Sequence, residues 1–201
     1  MKTSGFYDNE EGGGKGILVW PDSVWLRNGK PMFLPDEEEK YHICIAPAVR
    51  IEKVGKSVAE RYAGRYYREV AMTAVMLNER AFEKLKKEED PAATDICNDC
   101  CILTGNFKDK QFWEGMKNIN ISFFPLFINE GKVSREETLP FTAEDFFHKA
   151  DESVARASRR NTLKTGDIII PQLLYSAYDA EIDTKVEVKA EDVELLRFKI
   201  K

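Results

Sequence analysis

Tyr41-His-Ile-Cys-Ile-Ala-Pro-Ala-Val-Arg-Ile-Glu52, with the Gly55-Lys56-Ser57 turn and the apolar run Val70-Ala-Met-Thr-Ala-Val-Met-Leu77 beyond it, decides the fold. The first piece reads as an extended run that ends at the turn. Between the two apolar runs lies a short helical stretch, Ser57 to Tyr67. Ser57 is placed to cap it and Glu60 to complete a capping box. From Tyr41 to Phe82 the pattern is therefore strand, helix, strand.

Working outward, Val24-Trp25-Leu26 and Met32-Phe33-Leu34 flank Arg27-Asn28-Gly29-Lys30, and Asn-Gly between two such runs predicts a β-hairpin. Ile17 to Trp20 adds another short apolar run. Glu79 to Glu89 is charged, with Ala81, Phe82 and Leu85 on one face, and reads as a surface helix. Thr142-Ala-Glu-Asp145 opens a second helix that carries Phe146, Phe147, Ala150 and Val154 at helical spacing. Ile119 to Ile128, Asp167 to Ile170, Lys185 to Val188 and Val193 to Ile200 read as strands, with a turn at Asn129-Glu130-Gly131-Lys132. Without internal repeats or regular βαβ alternation, the class is α+β, mostly β.

The chain of 201 residues is long enough for a substantial core. Residues 1–16, polar and Gly-rich from Asp8 on, read as a flexible N-terminal lead-in to a single domain over 17–201. Gly14-Lys15 lacks the spacing and the Ser or Thr of a phosphate-binding loop. Hydrophobic residues make up 43% and charged residues 32%, and the net charge is −5 with cations scattered among acids. That balance argues against nucleic acid as a partner. No apolar run reaches a membrane span and the start carries no apolar signal region, so no membrane partner is expected. Four cysteines, three of them between Cys97 and Cys101, fit reduced thiols in a cytoplasm better than a disulfide framework.

Pro21 to Pro35, Val49 to Tyr67, Thr162-Leu-Lys-Thr-Gly-Asp-Ile-Ile-Ile170 and Leu195-Leu-Arg-Phe-Lys-Ile-Lys201 resemble, in order, the segments of the fumarylacetoacetate hydrolase family. The match is poor between about Phe107 and Arg160. The resemblance implies a mixed β-sandwich or roll with a few flanking helices, paired as a homodimer. It also implies chemistry on β-diketo or 2-oxo acids, with Mg²⁺, Mn²⁺ or Ca²⁺ held by three carboxylates to chelate the substrate and stabilise an enolate.

Position by position, those carboxylates are missing. The family's E-x-E pair falls on Cys44 and Ala46, and its third ligand on Val75. Glu79 stands at its Arg position and Phe82 at its Gln position. The K-x-F-D motif aligns with Ile96-Cys97-Asn98-Asp99, which keeps only the acid, and Pro171-Gln172-Leu173 replaces its G-T-P turn. No acid occurs from Ile43 to Arg50, so a shift of register restores nothing. The resemblance with its ligands removed implies a non-catalytic pseudoenzyme that binds or assembles, with no cofactor expected and a small-molecule ligand in the former site as one partner.

A rebuilt site is the alternative, a hydrolase or lyase centred on His42, Cys44, Cys97 and Asp99. His42, Cys44, Cys97 and Cys100 offer the donors of a tetrahedral zinc site. Against it, there is one C-x-x-C with no second pair at zinc spacing, and free cysteines are commonly core residues. No nucleophile-elbow motif is present, and His148, beside Phe147, reads as a surface residue.

Overall fold

The computed structural model describes residues 1–7, 16–36, 38–87, 100–126 and 135–201. In chain order the strands begin with β1 (Lys2–Tyr7), β2 (Gly16–Pro21), β3 (Trp25–Arg27), β4 (Pro31–Met32), β5 (Tyr41–Ile51), β6 (Tyr67–Asn78) and β7 (Ile102–Thr104). They continue with β8 (Lys108–Asp109), β9 (Asn118–Pro125), β10 (Arg135–Pro140), β11 (Ile168–Ile170), β12 (Ser176–Asp179), β13 (Thr184–Ala190) and β14 (Val193–Ile200). The helices are α1 (Glu60–Ala63), α2 (Glu79–Lys86), α3 (Lys110–Glu114) and α4 (Ala143–Arg160). Mostly β with a few helices, this is the class the sequence predicts. No helix among the described residues is long and apolar enough to cross a membrane.

β5 and β6 form the spine. They pair antiparallel from Tyr41↔Asn78 to Ile51↔Tyr67, and nearly every residue of both is buried. Strands buried on both faces need a neighbour on each side and a layer above and below. The first sheet runs β2-β1-β11-β5-β6-β7-β3, with β12 beside β5 and β8 beside β6; the second runs β10-β9-β13-β14-β4.

The first sheet curls. Trp25 on β3, at one end of the strand order, donates from Nε1 to Thr3 Oγ1 on β1 near the other end, at 2.6 Å. Cross-strand register places Trp25, Ile102, Val75 and Cys44 in one row, so their side chains share a face. Thr3, Ile168 and Arg50 form another row of that face. The meeting of Trp25 with Thr3 therefore makes the Cys44 face the inside of a roll. The opposite face of β5, with Ile43 and Ile45, packs toward the second sheet, where the Phe123 ring meets Tyr178 at 4.9 Å. Gly105 holds the sheets at close approach: a Cβ there would lie 2.1 Å from the Leu195 carbonyl oxygen.

Several expectations need correction. Residues 2–7 are not a loose lead-in; β1 pairs with β2 and β11, and Thr3 to Tyr7 are buried. Residues 8–15, including Gly14-Lys15, lie outside the described residues. The Asn28-Gly29 turn exists, with Gly29 at φ +82, but it makes no hairpin. β3 pairs parallel with β7 and β4 parallel with β14, in different sheets. The turn is bound to β14 instead: Asn28 Oδ1 accepts from the Arg197 N–H, and the Gly29 N–H donates to the Arg197 carbonyl, both at 2.8 Å. The helix expected over Ser57 to Tyr67 shrinks to α1. Ser57 takes φ +51, Ala59 is the N-cap without a side-chain bond, and Tyr67 already starts β6. α2 starts where expected, capped by Asn78 Oδ1 accepting from the Ala81 N–H, with Ala81, Phe82 and Leu85 buried. α4 begins after Thr142, whose side chain makes no capping bond. β10 and β12 are strands beyond those the sequence predicts, and the 129–132 turn lies outside the described residues.

Candidate functional site

The two-residue period of β5 puts His42, Cys44 and Ala46 on one face, the inner face of the roll. Val75 is the direct cross-strand partner of Cys44, and Thr73 that of Ala46. The three positions assigned to the family's metal ligands thus do converge on one spot of the sheet. Cys44, Ala46 and Val75 are each 0% exposed.

The chemistry of that spot is apolar. Burial pushes the Cys44 thiol up to about 12, so it is a neutral S–H at physiological pH. The Thr73 hydroxyl donates to the Ala46 carbonyl at 2.7 Å and is committed within the sheet. In the same row Thr104 Oγ1 is buried with no hydrogen-bond partner among the described residues, a single neutral oxygen. A hard divalent cation takes about six oxygens, commonly with carboxylates among them. Cys44, Ala46 and Val75 supply no side-chain oxygen, so this donor set does not fit the family's cation.

Glu79 and Phe82, the other degenerate positions, meet at His42. Glu79 and Phe82 stand one turn apart on α2, and α2 is tied to the start of β5 by the Glu79 N–H donating to the Lys40 carbonyl. His42 Nε2 lies 2.5 Å from Glu79 Oε2, and Nδ1 lies 3.2 Å from Asp179 Oδ1 on the adjacent β12. The Phe82 ring stacks on the imidazole at 3.9 Å between centroids. Both ring nitrogens are thereby directed at carboxylates, and the imidazole serves to fasten α2 and β12 onto β5. This bears on the zinc alternative. His42 has no nitrogen turned toward Cys44, Cys44 is protonated, and Cys100 is exposed at φ +58. Ile96, Cys97 and Asp99 lie outside the described residues. Among the described residues, no group of three His, Cys, Asp or Glu side chains could hold a metal.

A second polar cluster, missed by the sequence reading, lies where α4 meets the start of β6. The Tyr67 hydroxyl donates to Asp151 Oδ1 at 2.8 Å, and Lys110 Nζ donates to the Gly64 carbonyl at 2.8 Å while lying 3.8 Å from the Tyr67 ring centroid. Desolvation raises the Asp151 carboxyl and lowers the Lys110 ammonium, and desolvation followed by the Asp151 charge raises the Tyr67 phenol. The signal available in the sequence was slight. Tyr67, Lys110 and Asp151 are far apart along the chain, and only the β6–α3–α4 packing brings them together.

A cavity of about 310 Å³ opens beside Pro47 on the other face of β5. Its walls come from the first two turns of α4 and from the Pro171-Gln172 turn that follows β11.

No family model matches the sequence, and no curated protein matches it. Solved structures do match the fold. A Yersinia pestis protein assigned to the fumarylacetoacetate hydrolase family superposes at a TM-score of 0.76 with 13% identity, over 100% of this chain and 93% of that one. Fumarylpyruvate hydrolase from Pseudomonas aeruginosa, in complex with Mn²⁺ and pyruvate, gives 0.73 with 14% identity, over 99% and 88%. The 2-hydroxyhepta-2,4-diene-1,7-dioate isomerase of Mycobacterium marinum gives 0.74 with 15% identity, over 99% and 73%. The chain has the fumarylacetoacetate hydrolase fold, as its sequence segments predict.

Proposed function

We propose that this chain is a divergent fumarylacetoacetate hydrolase-fold protein that no longer performs the metal-dependent reaction and acts by binding or assembly. One observation carries the reading. Cys44, Ala46 and Val75, the positions to which the resemblance assigns the three cation ligands, cluster at one point of the roll and are sealed from solvent. A protonated thiol, a methyl and an isopropyl group give a hard cation nothing to bind, and an anionic oxo-acid no counter-charge.

The protein would work as a homodimer in a reducing cytoplasm. The described cysteines Cys44, Cys100 and Cys101 are free thiols, in keeping with that compartment. The test is turnover of acylpyruvates and oxaloacetate by the purified protein with Mg²⁺ or Mn²⁺, alongside its mass in solution. Turnover at the background rate from a dimer is the expected result. Metal-dependent turnover would overturn the reading.

A further inference from the structure

We propose that the cavity between α4 and the Pro171-Gln172 turn is a binding site for a small carboxylate with a flat apolar body. The site has a structural origin in β5. β11 pairs with Val49 and Arg50, β12 pairs with His42 to Ile45, and Pro47 falls in the interval between those two ladders. A proline lacks the N–H for a ladder and is tolerated where pairing is interrupted. The chain that crosses the interval, from Pro171 to Tyr175, leaves the cavity of about 310 Å³, within the size range of small-ligand pockets.

Pro47 lies on the face of β5 opposite Cys44 and Ala46, so this space is distinct from the former cation site. Rigid apolar surfaces face it: Pro47, Pro171, the buried Phe146 and the ring of Tyr175. The Tyr175 hydroxyl donates to the Pro140 carbonyl at 2.8 Å, which fixes that ring. Such walls suit a flat unsaturated or aromatic body.

The polar end of the site is cationic. Lys149, two turns into α4, donates to Gln172 Oε1 at 2.8 Å. That bond pairs the ammonium with a neutral amide and uses one of its three donors; the Gln172 amide keeps two donors of its own. Together they present N–H groups and a positive charge to an incoming carboxylate. Asp145, one turn earlier on the same helix face, lines the rim and is exposed. Its charge opposes an anion, but through solvent, where such effects are small.

Titration of the full chain with benzoate, benzyl alcohol and benzylamine, followed by NMR, tests this. The expected order puts benzoate tightest, with shifts at Phe146 and Tyr175. Lys149→Met should weaken benzoate by at least about tenfold and leave benzyl alcohol unchanged. Lys149→Arg should keep most of the benzoate affinity, and Asp145→Asn should tighten benzoate by about two- to fivefold. Benzoate binding no tighter than benzyl alcohol, benzylamine binding tightest, or unchanged benzoate affinity in Lys149→Met would each overturn the proposal. These titrations report on this cavity alone, whereas turnover with Mn²⁺ reports on the former cation site.

Discussion

Cys44 on β5 and Val75 on β6 are direct cross-strand partners, and neither side chain reaches solvent. That pairing puts a thiol against an isopropyl group at the centre of the roll, where a carboxylate would be a burden. Cys44→Glu should therefore destabilise the protein by several kcal/mol, because a buried carboxylate must either stay charged without a partner or take up a proton. Cys44→Ala, which removes a single heavy atom, should cost only about 1 kcal/mol. Urea unfolding of both variants measures the difference; equal, small losses would mean the site is open to water.

Thiol chemistry gives an independent view of the same burial. Cys100 is exposed, whereas Cys44 and Cys101 are buried and the Cys44 thiol is pushed up to about 12. Alkylation at pH 7.5 with peptide mapping should label Cys100 in the native protein, and Cys44 and Cys101 only after denaturation.

Closure of the roll rests partly on the Trp25 Nε1 bond to Thr3 Oγ1. Trp25→Phe keeps an aromatic ring but removes that donor and strands the Thr3 hydroxyl, and Thr3 is 0% exposed. The expected cost is about 1–3 kcal/mol, and Thr3→Val in the same background should recover part of it. Equal stability of Trp25→Phe and the wild type would show that the bond does not matter.

The Asp151 cluster predicts a pH dependence. Desolvation raises the carboxyl in the native state, so it holds its proton to a higher pH than in the unfolded chain. Above the ordinary aspartate range the native state thus binds more protons, and this group's contribution to stability is lost as pH rises through its native pKa. Relative to the wild type, Asp151→Asn should gain stability as pH rises above the ordinary aspartate range. Urea midpoints followed up from that range measure it; a constant difference between the two proteins would contradict the assignment.

Much of the fold could be read in the chain because the β5–β6 pair, the Phe82 and Leu85 face of α2 and the apolar positions of α4 follow simple periodicities. The failures share a cause. Asn28-Gly29 is a good turn, but which strands it joins is decided by β14, more than 160 residues away, through the Arg197 backbone. Ser57 has the chemistry of a cap, yet its N–H is drawn to the Ser158 carbonyl at 2.9 Å and α1 starts later. β1 was masked by its composition, since Lys2-Thr3-Ser4-Gly5 has no strand-like run, and its place between β2 and β11 comes from tertiary pairing. At the candidate site, the family resemblance pointed to Cys44, Ala46 and Val75, and the β5–β6 register places the three side by side. The contacts of His42 with Glu79, Asp179 and Phe82, and the space beside Pro47, depend on strands and helices meeting in three dimensions.

If the roll is kept without a cation site, Mn²⁺ should stay free in the presence of the protein. Titrating Mn²⁺ into the protein and following the electron paramagnetic resonance signal of the free aquo ion tests it most directly. The full free-ion signal is expected at every addition, as in buffer alone. A stoichiometric loss of that signal, abolished by Cys44→Ala, would contradict it.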